Sequence, residues 1–326
     1  MKKHTIIVTG TGSLIGQAII KSIKKSDLSD QIRIIGCDYF VDTVGSFWCD
    51  KKYILPDILK NENKVFWQES ILEIAKKEAA EILFIGLDFE LILFADLKDK
   101  IFAETRCKVV VSDQKALEIG NDKYLTYEFL KKNNLNYPKT WLASEIDDVE
   151  IEYPCILKPR IGARSKGVYV VKNKDELIKK ISLVNSAIIQ ELIGNDETEY
   201  TCGVLCMDGK IIDSIALRRQ LKEGNTHIAE YKKNFDQKIY HYIEEIALKI
   251  NSNGSSNFQL RLNKNGDPLL FEINPRCSGT TYIRSLFGFN EVEYMIKYIL
   301  NYPLKSFELK EGRVYRYYEE KLVGDE

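Results

Sequence analysis

The stretch Asn257-Phe258-Gln259-Leu260-Arg261-Leu262, continued after Asn265-Gly266-Asp267-Pro268 by Leu269-Leu270-Phe271-Glu272-Ile273-Asn274-Pro275-Arg276, reads as two strands folded back on each other. Asn, Gly, Asp and Pro are the residues a turn demands, and the flanking segments are rich in strand formers. Side chains alternate along a strand, so Glu272 and Asn274 share a face, and Gln259 on the partner strand can point to it as well. One carboxylate and two amide oxygens are hard donors of the kind Mg²⁺ accepts while it keeps water and phosphate oxygens. Arg276 lies just beyond, where a guanidinium can hold a phosphoryl group. A polar outer face of a half-buried sheet would account for any one of these residues, but not for the set.

Upstream, the same strand-and-turn character extends back to about Trp141. Tyr200 to Met207 and Lys210 to Leu217 flank Asp208-Gly209, a pair that tolerates positive φ and marks a tight hairpin. The apolar strand Ile188-Ile189-Gln190-Glu191 leaves through Leu192-Ile193-Gly194 toward Glu199, an arrangement suited to a backbone contact with a purine edge and an acid near ribose hydroxyls. Cys155 to Lys158 and Val168 to Val171 enclose the loop Pro159-Arg160-Ile161-Gly162-Ala163-Arg164-Ser165-Lys166-Gly167. Because this loop joins two strands and opens no helix, it is not a Walker P-loop. Its glycines, hydroxyl and cations suit a flap over a triphosphate, with Lys158 at the strand end reaching the inner phosphates; the competing reading is a solvated basic turn. Helical patterns run from about Lys174 to Val184 and from Phe235 to Asn251.

The first third reads differently. Short β-branched runs (Ile6 to Thr9, Ile32 to Cys37, Ile82 to Gly86, Lys108 to Val111) alternate with helical stretches such as Ile15 to Lys25 and Val65 to Ala80, the signature of a parallel α/β layer. The change comes at Ser112, which opens a helical segment, and a second helical pattern covers Tyr124 to Asn133 before a turn at Asn134 and Pro138. Gly10-Thr11-Gly12-Ser13-Leu14-Ile15-Gly16 follows the first strand, and Asp38 ends the second, as a ribose-binding acid would. Taken alone, that pair supports an NAD(P)-dependent oxidoreductase; otherwise the glycines only permit a tight strand-to-helix turn. Val314 to Glu326 carry no assignable pattern.

Composition narrows the classes. The chain has 326 residues, enough for two or three packed subdomains. Its 47 Lys and Arg nearly balance 48 Asp and Glu, so no net field draws it to nucleic acid or an acidic membrane, and small molecules are the expected partners. No apolar run approaches the roughly 20 residues of a membrane span. The seven scattered cysteines predict reduced thiols and a cytoplasmic protein, with Cys202 and Cys206 expected in a core and not in a zinc site.

The run Ser112-Asp113, Asn121-Asp122-Lys123-Tyr124, Phe129-Leu130, Pro154 to Pro159, the Gly loop, Gln190-Glu191 and Glu272 to Arg276 resembles the ATP-grasp superfamily, and within it the synthetase units of the carbamoyl phosphate synthase large subunit. The resemblance covers nearly the whole chain. It implies a Rossmann-like preATP-grasp domain over 1–111, linker helices and a small ATP-grasp subdomain over 112–187, and a C-terminal subdomain with an antiparallel sheet over 188–326. By position, Lys123 and Lys158 would contact ATP phosphates under the flap of Gly162, Ser165, Lys166 and Gly167. Gln190, Glu191 and Leu192 would face adenine, and Glu199 the ribose. Gln259, Glu272 and Asn274 would bind Mg²⁺, two ions with Mn²⁺ as a substitute, and Arg276 would meet the reacting phosphate. Lys158, Glu272 and Arg276 are thus the expected catalytic set. Only one synthetase unit is present, which implies a stand-alone ligase that activates a carboxylate as an acyl phosphate for attack by an amine or thiol. Arg218, Arg219 and His227 are expected to line the acceptor site. The resemblance also implies a homodimer through the first domain and leaves the Gly10 to Gly16 turn without a redox role. The remaining alternatives are the oxidoreductase and a non-catalytic ATP-binding protein.

Overall fold

The structure is a computed structural model that describes residues 3–147, 149–162 and 166–324. Its first layer is a parallel sheet of β1 (His4–Thr9), β2 (Ile32–Asp38), β3 (Lys51–Ile54), β4 (Ile82–Phe84) and β5 (Lys108–Val110), in the order β3-β2-β1-β4-β5. Ile6, Ile7 and Val8 are all fully buried, because helices cover both faces and leave no polar side. The helices are α1 (Leu14–Lys25), α2 (Lys64–Lys77) and α3 (Leu91–Thr105). Ser13 starts α1 by accepting the Gly16 amide at 2.9 Å.

Two linking helices follow, α4 (Gln114–Asn121) and α5 (Lys123–Lys132). A small lobe then forms from β6 (Thr140–Leu142), β7 (Cys155–Pro159), β8 (Tyr169–Val171), α6 (Lys174–Ile181) and β9 (Ala187–Glu191). Its four strands are antiparallel in the order β6-β9-β7-β8, around a separate core of Cys155, Leu157, Val171, Leu177 and Ile189. The expected boundary at 187/188 therefore runs through β9, which pairs with both β6 and β7. The periodicity of an isolated strand does not say which sheet it joins.

The remainder is an antiparallel sheet of β10 (Glu199–Met207), β11 (Lys210–Lys222), β12 (Asn225–Tyr231), β13 (Gly254–Leu262), β14 (Pro268–Asn274) and β15 (Gly312–Tyr315), with α7 (Gln237–Lys249), α8 (Thr281–Leu286) and α9 (Glu291–Ile299). Its order is β14-β13-β10-β11-β12-β15. Both predicted hairpins form, and Asp208 (φ 51°) and Gly209 (φ 74°) take the left-handed conformations their turn requires. One face packs on α7 and the linking helices through Cys202, Cys206, Ile243 and Phe258, which puts the two cysteines in the core. Part of the other face joins α8, α9 and α1 in a continuous core running from Ile6 and Ile20 to Leu217 and Met295. The rest of that face is open toward the small lobe, and the cleft lies there.

Candidate active site

The floor of the cleft is a hydrogen-bonded ladder laid across the large sheet. Glu199 begins β10 and is buried; its two oxygens accept from Arg219 Nε on β11 and Arg261 Nε on β13, each at 2.8 Å. Arg219 also donates to Gln259 Oε1 at 2.7 Å. Gln259 and Glu272 are register partners on β13 and β14, and Gln259 Nε2 donates to Glu272 Oε1 at 3.0 Å. Asn274 Nδ2 reaches the same oxygen at 2.8 Å, and its Oδ1 accepts from Arg276 at 2.9 Å. Alternation along two paired strands thus brings Gln259, Glu272 and Asn274 together, as expected. A second acid reaches Arg276 from the first layer: Asp88, in the turn after β4, accepts from its Nε at 2.6 Å.

The roof comes from the small lobe. Lys158 on β7 is buried, donates to Gln190 Oε1 on β9 at 2.7 Å and lies 5.7 Å over the Phe271 ring. Gln190 is held in turn by its donation to Thr140 at 2.9 Å. Burial first, and the neighbouring Lys123 second, push Lys158 down to about 7, while Glu272 pulls the other way. Lys123 opens α5, and Asp122 before it caps that helix by accepting the Tyr124 amide at 2.8 Å. Asp122 also forms a two-pronged pair with Arg160, at 3.0 Å to Nε and 2.5 Å to Nη2. Lys123 Nζ donates to Gly162 O at 2.9 Å, which ties the flap to the linking helix.

Between roof and floor, Ile156, Val168, Leu192, Ile193, Leu221 and Phe271 line an apolar slot that continues into Lys123, Lys158 and Lys166. An apolar slot ending in a cluster of lysines matches a flat heterocycle joined to a polyanion. Gly162, Gln190 and Glu191 also line the cleft, and Glu191 accepts the Lys139 amide at 3.0 Å. Gly167, at φ 71°, sits at the flap's far end and is not among the lining residues; Ser165 lies outside the described residues. No group of three His, Cys, Asp or Glu side chains able to hold a metal occurs among the described residues. The Glu272, Asn274 and Gln259 set has a single carboxylate, so it fits an Mg²⁺ ion that takes most of its ligands from phosphate and water.

The three residues expected at the acceptor site do not lie together. Arg218 pairs with Glu230 and shares its face with Tyr200 in the α7-side core, opposite the cleft, because adjacent strand residues point to opposite sides. Arg219 does line the cleft, but it braces Glu199 and Gln259. His227 is on β12, outside the cleft lining. Both Glu199 oxygens are engaged by arginines, so a ribose there would share an occupied carboxylate. Asp38 is spent on its own turn: Oδ2 accepts from the Gly12 amide at 2.7 Å and from Thr11 at 3.0 Å, and Oδ1 accepts from the Tyr39 amide at 2.7 Å. Neither that acid nor the Gly12 amide is available to a dinucleotide. Arg261 and Asp88 were not anticipated. Arg261 was legible as a same-face neighbour of Gln259, whereas Asp88 meets Arg276 only through tertiary folding.

A polyanion cleft clamped between a small antiparallel lobe and a large antiparallel sheet, behind a parallel α/β layer, defines a nucleotide-clamping protein. Residues 120–280 match the family described as the ATP-grasp domain, and the chain carries that domain. It is 22% identical over 228 residues to a carbamoyl-phosphate synthase of Methanobrevibacter smithii, covering 65% of this chain and 61% of the relative. To the coenzyme gamma-F420-2:alpha-L-glutamate ligase of Methanococcus maripaludis it is 30% identical over 180 residues, or 51% of this chain and 62% of the relative. The chain spans 17% to 62% of the length of such curated relatives. The fold matches the ADP complex of an N5-carboxyaminoimidazole ribonucleotide synthetase with a TM-score of 0.75 at 14% identity, covering 95% of this chain and 80% of that structure.

Proposed function

We propose that this chain is an Mg-dependent ligase that uses ATP to activate a carboxylate as an acyl phosphate for attack by an amine. The observation that carries the reading is Lys158: a buried lysine beside a second lysine, facing Glu272 across the cleft. A lysine held in so unfavourable a place is explained by a polyanion that returns its charge. The named relatives, a synthase of an acyl phosphate and a glutamate ligase, fit the same chemistry.

In this mechanism a carboxylate oxygen of the acid attacks the γ-phosphorus as the bond to the β-bridging oxygen breaks, giving an acyl phosphate and ADP. The amine then attacks the acyl carbon, phosphate leaves with the bonding pair, and the amine nitrogen loses a proton. Lys123 and Lys158 offset charge on the phosphate oxygens, and Arg276 orients the transferred group. Glu272, Asn274 and Gln259 would hold Mg²⁺, which when bound neutralises charge between the outer phosphates. No protein nucleophile is required, in keeping with a cleft of cations and amides. The test is ADP release with Mg-ATP across a panel of carboxylates, each with and without amino acids, L-glutamate included. Release that requires an acid and rises with an amine supports the ligase; Mg-ATP binding with no acid-dependent release overturns it.

A further inference from the structure

Asp88 reaches Arg276 from the single turn Asp88–Glu90, which joins β4 to α3. Its own side chain is 53% exposed, so its aim depends on the backbone that carries it. That backbone is anchored two residues to either side. Before Asp88, the Gly86 amide donates to Thr9 Oγ1 at 3.2 Å, and Gly86 O accepts from Ser13 Oγ at 2.7 Å. A Cβ on Gly86 would lie 2.2 Å from Thr9 O and 3.0 Å from Gly16 Cα, so this end is pressed against β1 and α1. After Asp88, Glu90 is fully buried. Its Oε2 accepts from Thr9 Oγ1 at 2.5 Å and its Oε1 from Tyr39 Oη at 2.7 Å, and no cation pairs with it among the described residues.

The directions of these hydrogen bonds are forced. Thr9 Oγ1 already accepts the Gly86 amide, and Tyr39 Oη accepts from Trp67 Nε1 on α2 at 2.8 Å. Amide and indole N–H groups can only donate, so both hydroxyls keep their own protons for Glu90. The arrangement is complete with a carboxylate. A protonated Glu90 would turn a hydrogen toward a hydroxyl that is itself donating, and one of the two bonds would have to be remade. Burial nevertheless pushes Glu90 up to about 7 despite the two hydroxyls, and the charge of Asp38 adds to the rise. The other titratable groups facing it are Cys37 on β2 and Tyr39, both pushed up by burial and by Glu90 itself.

We propose that Glu90, as a carboxylate, is a positioning residue: it clamps the far end of the Asp88 turn to Thr9 and Tyr39 and so aims Arg276 at the transferred phosphoryl group. The role rests on the ligase reading. Protonation slackens the clamp, Asp88 loses its fixed place, and Arg276 keeps Asn274 as its only side-chain acceptor among the described residues. The carboxylate is the competent form, so turnover is complete above the titration of Glu90 and is lost as pH falls through it. At saturating Mg-ATP this limb belongs to Glu90, because phosphate oxygens keep Lys158 protonated.

The experiment follows kcat for ADP release from about pH 6 to pH 9 at saturating Mg-ATP, with the most active acid and amine, in wild type, E90Q, Y39F, D88A and E90Q/D88A. Wild type should lose about fivefold between pH 8 and pH 6, with a midpoint near 7. E90Q should be slow throughout and lack the limb, since its amide sets a permanent N–H against one of the hydroxyls, and its KM for ATP should stay within about twofold. Y39F leaves Glu90 in place with one donor fewer and should move the limb up by about one pH unit. Because Glu90 acts through Asp88, E90Q/D88A should be no slower than D88A. A limb that E90Q retains, a limb that Y39F leaves in place, or a double variant slower than D88A by the whole factor of E90Q overturns the proposal. Infrared difference spectra of the nucleotide-free protein between pH 8 and pH 6 give a readout without turnover. A protonated carboxyl band that E90Q lacks supports the titration of Glu90, and its absence from the wild type overturns it. If no acid elicits ADP release while that band is present, the ligase reading falls with the role of Arg276, and the proton-sensitive clamp stands.

Discussion

Lys158 makes the sharpest residue-scale prediction. With its pKa lowered to about 7 in the nucleotide-free protein, it is largely neutral at pH 8, whereas phosphate oxygens beside it favour the ammonium. Nucleotide binding should therefore take up a proton at pH 8, and affinity should fall as pH rises from 7 toward 10. Calorimetry of ADP binding in buffers of different ionisation enthalpy measures this directly, and K158M should abolish the uptake; no proton uptake in the wild type would remove the polyanion account of this lysine. Glu272 makes a second prediction. Its Oε1 already accepts two amide donors, so E272Q confronts those donors with a third amide and removes the only carboxylate of the metal-ligand set. ADP release should drop by at least about a hundredfold with the fold intact by circular dichroism. These residues were readable from sequence because strand alternation and local motif spacing placed them. Asp88 was not, since it acquires its role from a partner 188 positions along the chain.

At the scale of elements, most helices and strands fell where periodicity put them, because apolar alternation and turn residues agreed with the fold. The helices α3, α8 and α9 and the strands β3, β12 and β15 were not read in advance; of these, β3 and β15 are short edge strands of four residues with exposed or half-exposed side chains and hence no apolar pattern. Gly203 on β10 tests how tightly the large sheet is fitted to α8. Its φ is not positive, but a Cβ would come within 2.6 Å of the Arg284 side chain, so the close approach of the guanidinium is what requires glycine. Arg284 and Glu291 are both fully buried and paired at 2.5 Å, and Arg284 also donates to Asn257, Thr280 and Thr281. G203A displaces Arg284 and leaves Glu291 uncompensated in the core, a loss of about 3 kcal/mol or more. The urea midpoint should fall accordingly, and a midpoint equal to wild type would show that the sheet has room to spare.

Over the whole molecule, the first layer and the large sheet share one core through α1, α8 and α9, while the small lobe keeps its own. Lobe and sheet are thus distinct packing units with the cleft between them, and the first layer is fixed to the sheet that carries Glu272 and Arg276. Asp88 is the point at which that fixed layer acts on the site. Its side chain is 53% exposed against 14% for Arg276, so the ion pair is worth at most about 1 kcal/mol of stability after solvent screening. D88A should accordingly shift Tm by no more than about 2 °C. Its effect on turnover should be larger, because Asp88 and Asn274 together aim the Arg276 guanidinium, and a guanidinium aimed at the wrong angle loses the geometry that phosphoryl transfer depends on. We expect kcat for ADP release to fall about tenfold in D88A with the KM for ATP unchanged or lower, since a negative charge near the outer phosphate is also removed. D88N keeps an oxygen acceptor for Arg276 Nε and should recover most of kcat without restoring the charge. Equal kcat in D88A and wild type would mean that Asn274 alone orients Arg276, and equal loss in D88A and D88N would mean that the charge matters and the hydrogen bond does not.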